Sequence, residues 1–195
     1  MKANGRIILA SMSPRRREFL ELLGLKAEVI SSGVEENGRS GDPGTLAQRM
    51  AGEKVKTVRR RLGKKFEGWV LGADTVVALG REIFGKPSDA EDARRMLRRL
   101  AGRTHQVWTG FRVERSDGDF REGTVKTDVD FAPLRETEIE AYIQSGEPFD
   151  KAGAYAIQGR AGVFVREIRG SFSNVVGLPL AEVVSVLREL GAVTD

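Results

Sequence analysis

Residues 69–79 read Trp-Val-Leu-Gly-Ala-Asp-Thr-Val-Val-Ala-Leu, an almost unbroken apolar run. A run of this kind predicts a central β-strand that is covered on both faces. Asp74 interrupts the run, and a buried ionised carboxylate is costly unless it is paired, bound to metal or exposed in a cleft. Asp74 could therefore bind a divalent cation, accept a proton from water, cap backbone amides or pair with a core arginine. Gly72 and Ala73 beside it leave room for another group to approach.

Helices and shorter strands flank this central strand on both sides in the sequence. Residues 6–10 predict a short buried strand, and Ser13-Pro14 then opens a helix that ends near Gly24. Alternating elements of this kind predict an α/β fold, a mixed twisted sheet with flanking helices. The other predicted elements are a helix from Thr45 to Leu62, a helix capped by Ser88 with Glu91, a hairpin turning at Asp117-Gly118, a helix capped by Thr137 with Glu140, and a last helix opened by Pro179.

The composition is that of a single folded domain spanning residues 1–195. Of the 195 residues, 40% are apolar and 31% are charged, which is enough to close a core and cover it with a polar surface. The chain has no cysteine and one histidine, which excludes disulfides, thiolate nucleophiles and multi-histidine metal centres. No apolar stretch reaches the ~18–20 residues that cross a bilayer, so we expect a cytoplasmic protein without a membrane partner. The net charge is only +4 and the charges are interleaved, so a nucleic-acid partner is not expected.

The first predicted helix carries arginines where a helix does not favour them. Residues 15–17 are all arginine and fall in the first turn, where the helix dipole disfavours cations. A helix N-terminus offers free backbone amides, so arginines added there can complete a site for phosphate oxygens. Alternatively, these arginines pair with surface carboxylates such as Glu18 or Glu21.

Two further segments carry side chains that suit a nucleotide. Pro87 favours an extended conformation at Lys86, just ahead of a helix, so the ammonium group can reach outward. Residues 150–159 combine small residues with an acid, a base, an aromatic ring and Gln158, whose amide can read the donors and acceptors of a base. The same segment can instead form a tightly packed turn in the core. His105 has no serine or cysteine motif beside it, so we expect it to be structural.

The order of these segments matches that of a known family. The matching motifs are Leu9-Ala-Ser-Met-Ser-Pro-Arg-Arg16, Glu36, Glu53-Lys54, Gly72-Ala-Asp-Thr75, Gly85-Lys-Pro87, Asp150-Lys-Ala-Gly-Ala-Tyr155, Ile157-Gln-Gly159 and Asn174-Val-Val-Gly-Leu-Pro179. With them the chain resembles the Maf family of nucleoside triphosphate pyrophosphatases over nearly its whole length. The resemblance implies two lobes around a deep cleft, as in inosine triphosphatase-like proteins, and a homodimer.

The resemblance also implies a reaction and a substrate class. The reaction is hydrolysis of a nucleoside triphosphate to the monophosphate and pyrophosphate with a divalent cation, Mg²⁺ or Mn²⁺. The family branch that acts on dTTP and UTP carries Arg, Thr and Gln where this chain has Arg15, Thr75 and Gln158, whereas the branch acting on 7-methyl-GTP typically carries Trp, Gln and Glu. This chain therefore resembles the pyrimidine branch, and modified pyrimidine nucleotides are further candidate substrates. The alternative is a nucleotide-binding regulator of septum formation and cell division without significant turnover.

The site residues follow from the same resemblance. Asp74 is expected to act as general base or as a metal ligand, with Glu36 as its partner toward metal or water. The expected catalytic residues are Asp74, Glu36, Lys54 and Lys86, the expected substrate-binding residues are Ser11, Arg15, Arg16, Thr75 and Gln158, and the expected metal ligands are Asp74 and Glu36.

Overall fold

The computed structural model describes residues 1–34 and 41–194 of the chain. Strands and helices alternate along most of it, as an α/β fold requires. The strands are β1 (Lys2–Ala3), β2 (Ile7–Leu9), β3 (Ala27–Val29), β4 (Trp69–Leu79), β5 (Glu82–Phe84), β6 (Thr104–Arg115), β7 (Phe120–Phe131), β8 (Val165–Arg169) and β9 (Val193–Thr194). The α-helices are α1 (Pro14–Leu22), α2 (Pro43–Leu62), α3 (Ala90–Leu100), α4 (Glu136–Gln144), α5 (Phe172–Val176) and α6 (Leu180–Glu189), and 3₁₀ turns cover Glu147–Asp150, Ala152–Ala154 and Arg160–Phe164.

The main sheet is mixed, as the sequence predicts. Its strand order is β3-β2-β4-β6-β7-β8, and β5 pairs with the end of β4. Strand β2 pairs parallel with β3 and with β4. The pairs β4–β5, β4–β6, β6–β7 and β7–β8 are antiparallel. A separate small ribbon joins β1 to β9, near the two ends of the chain. The expected α/β fold with a mixed sheet and flanking helices is confirmed.

Strand β4 lies at the centre of the sheet because its side chains are covered on both faces. Leu71, Ala73 and Val77 point to one face and pack into two core clusters at different positions along the strand. Val70 and Val76 point to the opposite face and pack with residues of α2. The unbroken apolar run is therefore explained by burial on both sides, as for a central strand.

Three of the predicted helix starts are wrong by one or two residues. Helix α2 begins at Pro43 and not at Thr45, because the carboxylate of Asp42 caps it by accepting the amide hydrogen of Thr45 at 2.8 Å. The cap of α3 is Asp89, whose carboxylate accepts the amide hydrogen of Asp92 at 2.8 Å, and not Ser88. Helix α4 begins before Thr137, with Arg135 at the capping position and the carboxylate of Glu138 accepting its amide hydrogen at 2.7 Å. In each case a competing side chain at a neighbouring position makes the capping bond. The hairpin at Asp117-Gly118 and the last helix after Pro179 are confirmed.

None of the helices in the described part of the chain has the length and apolar character needed to cross a membrane.

Candidate active site

A cavity of about 370 Å³ opens at a gap in the edge of the main sheet. Strand β2 pairs with β4 at residues 69–71, and β5 pairs with β4 at residues 77–79. Within residues 1–34 and 41–194, no strand pairs with that edge of β4 between these two points. The amide of Ala10 donates to the carbonyl of Leu71 at 2.8 Å, so strand alternation directs the main chain of Ala73 and Thr75 into the gap.

The gap brings together the predicted site residues that the structure describes. The cavity is lined by residues from the end of β2, the start of α1, one face of α2, the middle of β4 and the segments around residues 86 and 150–158. The predicted residues among its lining are Ser11, Arg15, Arg16, Lys54, Asp74, Thr75, Lys86 and Gln158. Glu36, predicted as a catalytic residue and metal ligand, lies outside the described residues.

Asp74 forms a buried ion pair with Lys54. The ammonium Nζ of Lys54 lies 2.5 Å from Oδ1 of Asp74, and each residue is only 6% exposed. Lys54 lies on α2 and Asp74 on β4, so the pair joins the helix to the central strand. The sequence left several partners open for this carboxylate, and the structure shows that Lys54 is one of them. A pair of this kind offsets the cost of burying both charges.

The room expected beside Gly72 is occupied by α2 rather than by a ligand. A Cβ atom at Gly72 would lie 2.6 Å from Cγ2 of Val55 and 2.9 Å from the carbonyl oxygen of Ala51. The missing side chain therefore lets the helix approach the strand closely. This approach brings Lys54, one residue before Val55, over Asp74. The expectation that Gly72 makes space for another group is correct, but the group is the protein's own helix.

The arginines at the start of α1 divide into different roles. Arg15 and Arg16 line the cavity, whereas Arg17 is exposed and lies 3.4 Å from Glu21, as the surface-pairing alternative predicts. Ser13 stands at the capping position of α1 but makes no side-chain cap. The amide of Ser13 instead donates to the hydroxyl of Ser11 at 3.3 Å. The helix N-terminus thus faces the cavity with Ser11 and two arginines beside it.

Arg16 is held by protein atoms on three sides. Its Nη1 donates to the hydroxyl of Ser11 at 2.9 Å, its Nε donates to the carbonyl of Gly177 at 2.8 Å, and its Nη2 donates to the hydroxyl of Thr75 at 3.1 Å. The residue is 8% exposed. Arg16 therefore connects the start of α1, the strand β4 and the turn between α5 and α6, and it fixes the shape of this part of the cavity.

Lys151 and Asp150 line the cavity and were not among the predicted site residues. The ammonium group of Lys151 contacts the carboxylate of Asp150. Burial alone would raise the pKa of Asp150, but the hydrogen bond from Lys151 and the charges of Lys151 and Arg15 lower it below its usual value. A signal was present in the sequence, because this acid and base begin a run of small residues that permits close approach.

Residues 150–159 lie partly in the cavity wall and partly in the core. Gln158 lies exposed at the rim of the cavity, while Tyr155 is buried in the core. The hydroxyl of Tyr155 is hydrogen-bonded to Nε2 of His105 at 2.8 Å, and both rings contact Phe131 edge to face. Burial lowers the pKa of His105 to about 4, so the ring is neutral near pH 7. His105 lies outside the cavity lining, in agreement with the structural role expected for it.

The carboxylates that line the described part of the cavity are those of Asp74 and Asp150. Residues 1–34 and 41–194 contain no cluster of three or more histidine, aspartate or glutamate side chains placed to bind a metal. A protein cage for a metal is therefore not formed by these residues. Mg²⁺ commonly uses one or two carboxylates together with substrate phosphates and water, and the chemistry of Asp74 fits that mode.

Comparison with known proteins places the chain in a family. A HAM1 protein structure from Coxiella burnetii is 16% identical, with a TM-score of 0.49 over 94% of this chain and 98% of that one. A protein of Geotalea uraniireducens named dTTP/UTP pyrophosphatase is 50% identical over 99% of both chains. A protein of Chromobacterium violaceum with the same name is 51% identical over 95% of both chains. The sequence model described as "Maf-like protein" matches residues 6–190. The chain belongs to the Maf-like protein family.

Proposed function

We propose that this chain hydrolyses dTTP and UTP to the nucleoside monophosphate and pyrophosphate in the cavity at the gap in the sheet. The observation that carries the proposal is the buried Lys54–Asp74 pair, which places an acid and a base inside a cavity lined by further cations. Unless a metal ion lies between them, a site that only binds phosphate gains nothing from a carboxylate beside the ligand, whereas a hydrolase can use the carboxylate as a base. The full-length relatives named dTTP/UTP pyrophosphatase support the same reaction.

In this reaction a water oxygen attacks the α-phosphorus, and the bond from that phosphorus to the α–β bridging oxygen breaks. Asp74 accepts a proton from the attacking water, and the pyrophosphate leaves with the electron pair of the broken bond. Lys54 holds the carboxylate of Asp74 in place. Arg15, Lys86 and Lys151 line the same cavity and stabilise the negative charge that builds up on the phosphates.

A divalent cation, Mg²⁺ or Mn²⁺, belongs to this proposal. Asp74 would hold it together with the substrate phosphates, and Glu36 is the proposed second ligand. When bound, the ion would neutralise phosphate charge and favour departure of the pyrophosphate. The test is whether pyrophosphate release requires added Mg²⁺ or Mn²⁺ and stops with a chelator.

Selection of the base is assigned to Thr75 and Gln158, which line the cavity, together with Arg15. We expect substitution of Arg15 or Gln158 to change the ratio of the rates on UTP and on purine triphosphates more than it changes the melting temperature. Gln158→Glu is the sharpest variant, because it removes the amide donor and keeps the size of the side chain. An equal loss on every substrate would instead assign the residue to general binding.

A homodimer in the cytoplasm completes the proposal. Exposed apolar side chains such as Leu22 (79%) and Val163 (83%) offer surface that association could cover. Sedimentation equilibrium of the purified chain measures the oligomeric state directly. A monomer at micromolar concentration would contradict this part of the proposal and leave the assigned reaction unaffected.

The experiment that tests the assigned reaction is a substrate panel. Pyrophosphate release is measured with dTTP, UTP, CTP, pseudouridine triphosphate, 5-methyl-UTP, GTP and 7-methyl-GTP, each with Mg²⁺, Mn²⁺ or a chelator. The proposal predicts metal-dependent release that is fastest with dTTP, UTP or their modified forms. A folded protein that binds these nucleotides and releases no pyrophosphate would be a nucleotide-binding regulator instead.

A further inference from the structure

A chain of hydrogen bonds runs from the cavity wall into the core through two threonines. Arg16 donates to the hydroxyl of Thr75 at 3.1 Å, the hydroxyls of Thr75 and Thr109 lie 3.0 Å apart, and the hydroxyl of Thr109 lies 3.1 Å from the carbonyl oxygen of Asn174. Thr75 and Thr109 face each other on the paired strands β4 and β6. Thr75 lines the cavity, whereas Thr109 is fully buried behind it.

The direction of these hydrogen bonds follows from the groups at the two ends of the hydrogen-bond series. The guanidinium group of Arg16 can only donate, and the carbonyl oxygen of Asn174 can only accept. Thr109 has one hydroxyl proton, and donating it to Asn174 leaves Thr75 as the donor between the two threonines. The opposite direction would lose one hydrogen bond and set the Thr109 and Asn174 oxygens against each other at 3.1 Å without a proton. A fully buried hydroxyl does not favour that arrangement.

The carbonyl oxygen of Asn174, the acceptor at the inner end of this hydrogen-bond series, is fixed in position. The side-chain amide of Asn174 donates to the carbonyl of Val107 at 3.0 Å and to the hydroxyl of Thr127 at 2.9 Å. Its main-chain N–H is also fixed, because it donates a hydrogen bond to the hydroxyl of Ser171 at the start of α5. Asn174 is fully buried. The carbonyl oxygen that orients Thr109 therefore belongs to a rigid part of the core.

We call the hydrogen-bond series Arg16–Thr75–Thr109–Asn174 the relay. We infer that this relay fixes Thr75 as a hydrogen-bond acceptor toward the substrate and that Thr109 is a positioning residue for base selection. The proton of Thr75 is used on Thr109 and one of its lone pairs is used by Arg16, so one lone pair is left for a ligand. An acceptor facing the imino position of a pyrimidine ring matches the N3–H of uracil and thymine. It opposes the unprotonated N3 of cytosine, which is itself an acceptor.

The location of Thr75 fits this role. Successive side chains of a strand point to opposite faces, so Asp74 faces α2 and Lys54 whereas Thr75 faces the opposite side of β4. The residue that acts on the phosphates and the residue that reads the base are thus adjacent in sequence and separated by the strand itself. This inference rests on the proposed hydrolysis of UTP and adds the reason for its pyrimidine preference.

The test is the variant Thr109→Val, which keeps the shape of the side chain and removes its hydroxyl. Thr75 then has no partner for its proton and can turn it toward a ligand. The expected result is that the ratio of kcat/KM for UTP to that for CTP falls by about tenfold or more. The matched control Thr109→Ser keeps the hydroxyl and is expected to keep the wild-type ratio, with melting temperatures showing that both variants are folded.

Three outcomes separate this inference from the proposed function. A lowered ratio in Thr109→Val alone supports the relay. Normal turnover of UTP with an unchanged ratio in Thr109→Val overturns the relay and leaves the proposed function intact. Failure of the wild-type protein to release pyrophosphate from UTP overturns both.

A second measurement uses the wild-type protein and does not depend on the folding of a variant. The N3–H of 5-fluorouridine triphosphate is more acidic than that of UTP, so it is lost at a lower pH. The relay predicts that KM for 5-fluorouridine triphosphate rises at lower pH than KM for UTP does. Identical pH dependence of the two KM values would contradict an acceptor at Thr75.

Discussion

The central residue of the site is a carboxylate that the protein buries and pairs at the same time. Asp74 and Lys54 are each 6% exposed and lie 2.5 Å apart. Removing one partner from such a pair leaves an uncompensated buried charge, which costs far more than breaking an ion pair at the surface. The pair should therefore contribute to stability as well as to catalysis, and the two contributions can be measured separately.

Lys54→Met tests the stability contribution. We expect it to lower the free energy of unfolding by about 3–5 kcal/mol, because the carboxylate of Asp74 stays buried and loses its ion pair with Lys54. The matched control on the same helix is Lys56→Met, which breaks an exposed pair with Glu53 and should cost no more than about 1 kcal/mol. Urea unfolding at pH 7 measures both values. Equal costs for the two variants would show that Asp74 does not depend on Lys54.

His105 predicts a pH dependence of stability. Burial lowers its pKa from 6.5 to about 4, so between these values the unfolded chain binds a proton that the folded chain does not. This contribution is complete above pH 6.5 and is lost as the pH falls toward 4, by about 3 kcal/mol in total. His105→Gln should lose less stability than the wild type over this range in urea unfolding. Parallel curves for the two proteins would refute the prediction.

At the level of the elements, glycines decide how closely α2 lies against the sheet. A Cβ atom at Gly110 on β6 would come within 2.3 Å of main-chain atoms of Ala47 and Gln48 on α2. Main-chain atoms cannot move aside as a flexible side chain can, so the helix as a whole would shift. Since α2 carries Lys54, the packing of the helix and the geometry of the active site are linked.

Gly110→Ala and Gly52→Ala form a matched pair that tests this link. Gly110→Ala should lower stability by about 1–3 kcal/mol and reduce turnover, because it pushes α2 away from Asp74. Gly52 lies inside α2, and a Cβ atom there would meet nothing closer than 3.8 Å. Gly52→Ala should therefore raise stability by about 0.5–1 kcal/mol and keep turnover. Unchanged turnover in a destabilised Gly110→Ala would separate helix packing from catalysis.

At the level of the whole molecule, the parts that could be predicted from the sequence are those with long regular patterns. The apolar run of β4, the periodicity of α2 and the hairpin of β6 and β7 all depend on neighbours in the chain. The cap positions of α3 and α4 were wrong because several adjacent side chains compete for the same amide.

The rest of the site depends on contacts between distant segments. Lys54 and Asp74 are 20 residues apart, and Arg16 binds the carbonyl of Gly177 across 161 residues. The gap in the sheet exists because β2 and β5 pair with different parts of β4. No local sequence pattern predicts these long-range contacts or this strand pairing. The motifs identified residues that line the cavity, and only the fold shows how these residues lie relative to one another.

Asp74→Asn removes the proposed base and keeps an oxygen to accept the hydrogen bond from Lys54. The measurement is kcat for pyrophosphate release from dTTP and UTP with saturating Mg²⁺ or Mn²⁺, alongside the melting temperature and nucleotide binding. We expect kcat to fall by at least about 10²-fold while the fold and nucleotide binding are retained. A folded Asp74→Asn protein with the wild-type kcat would contradict this expectation.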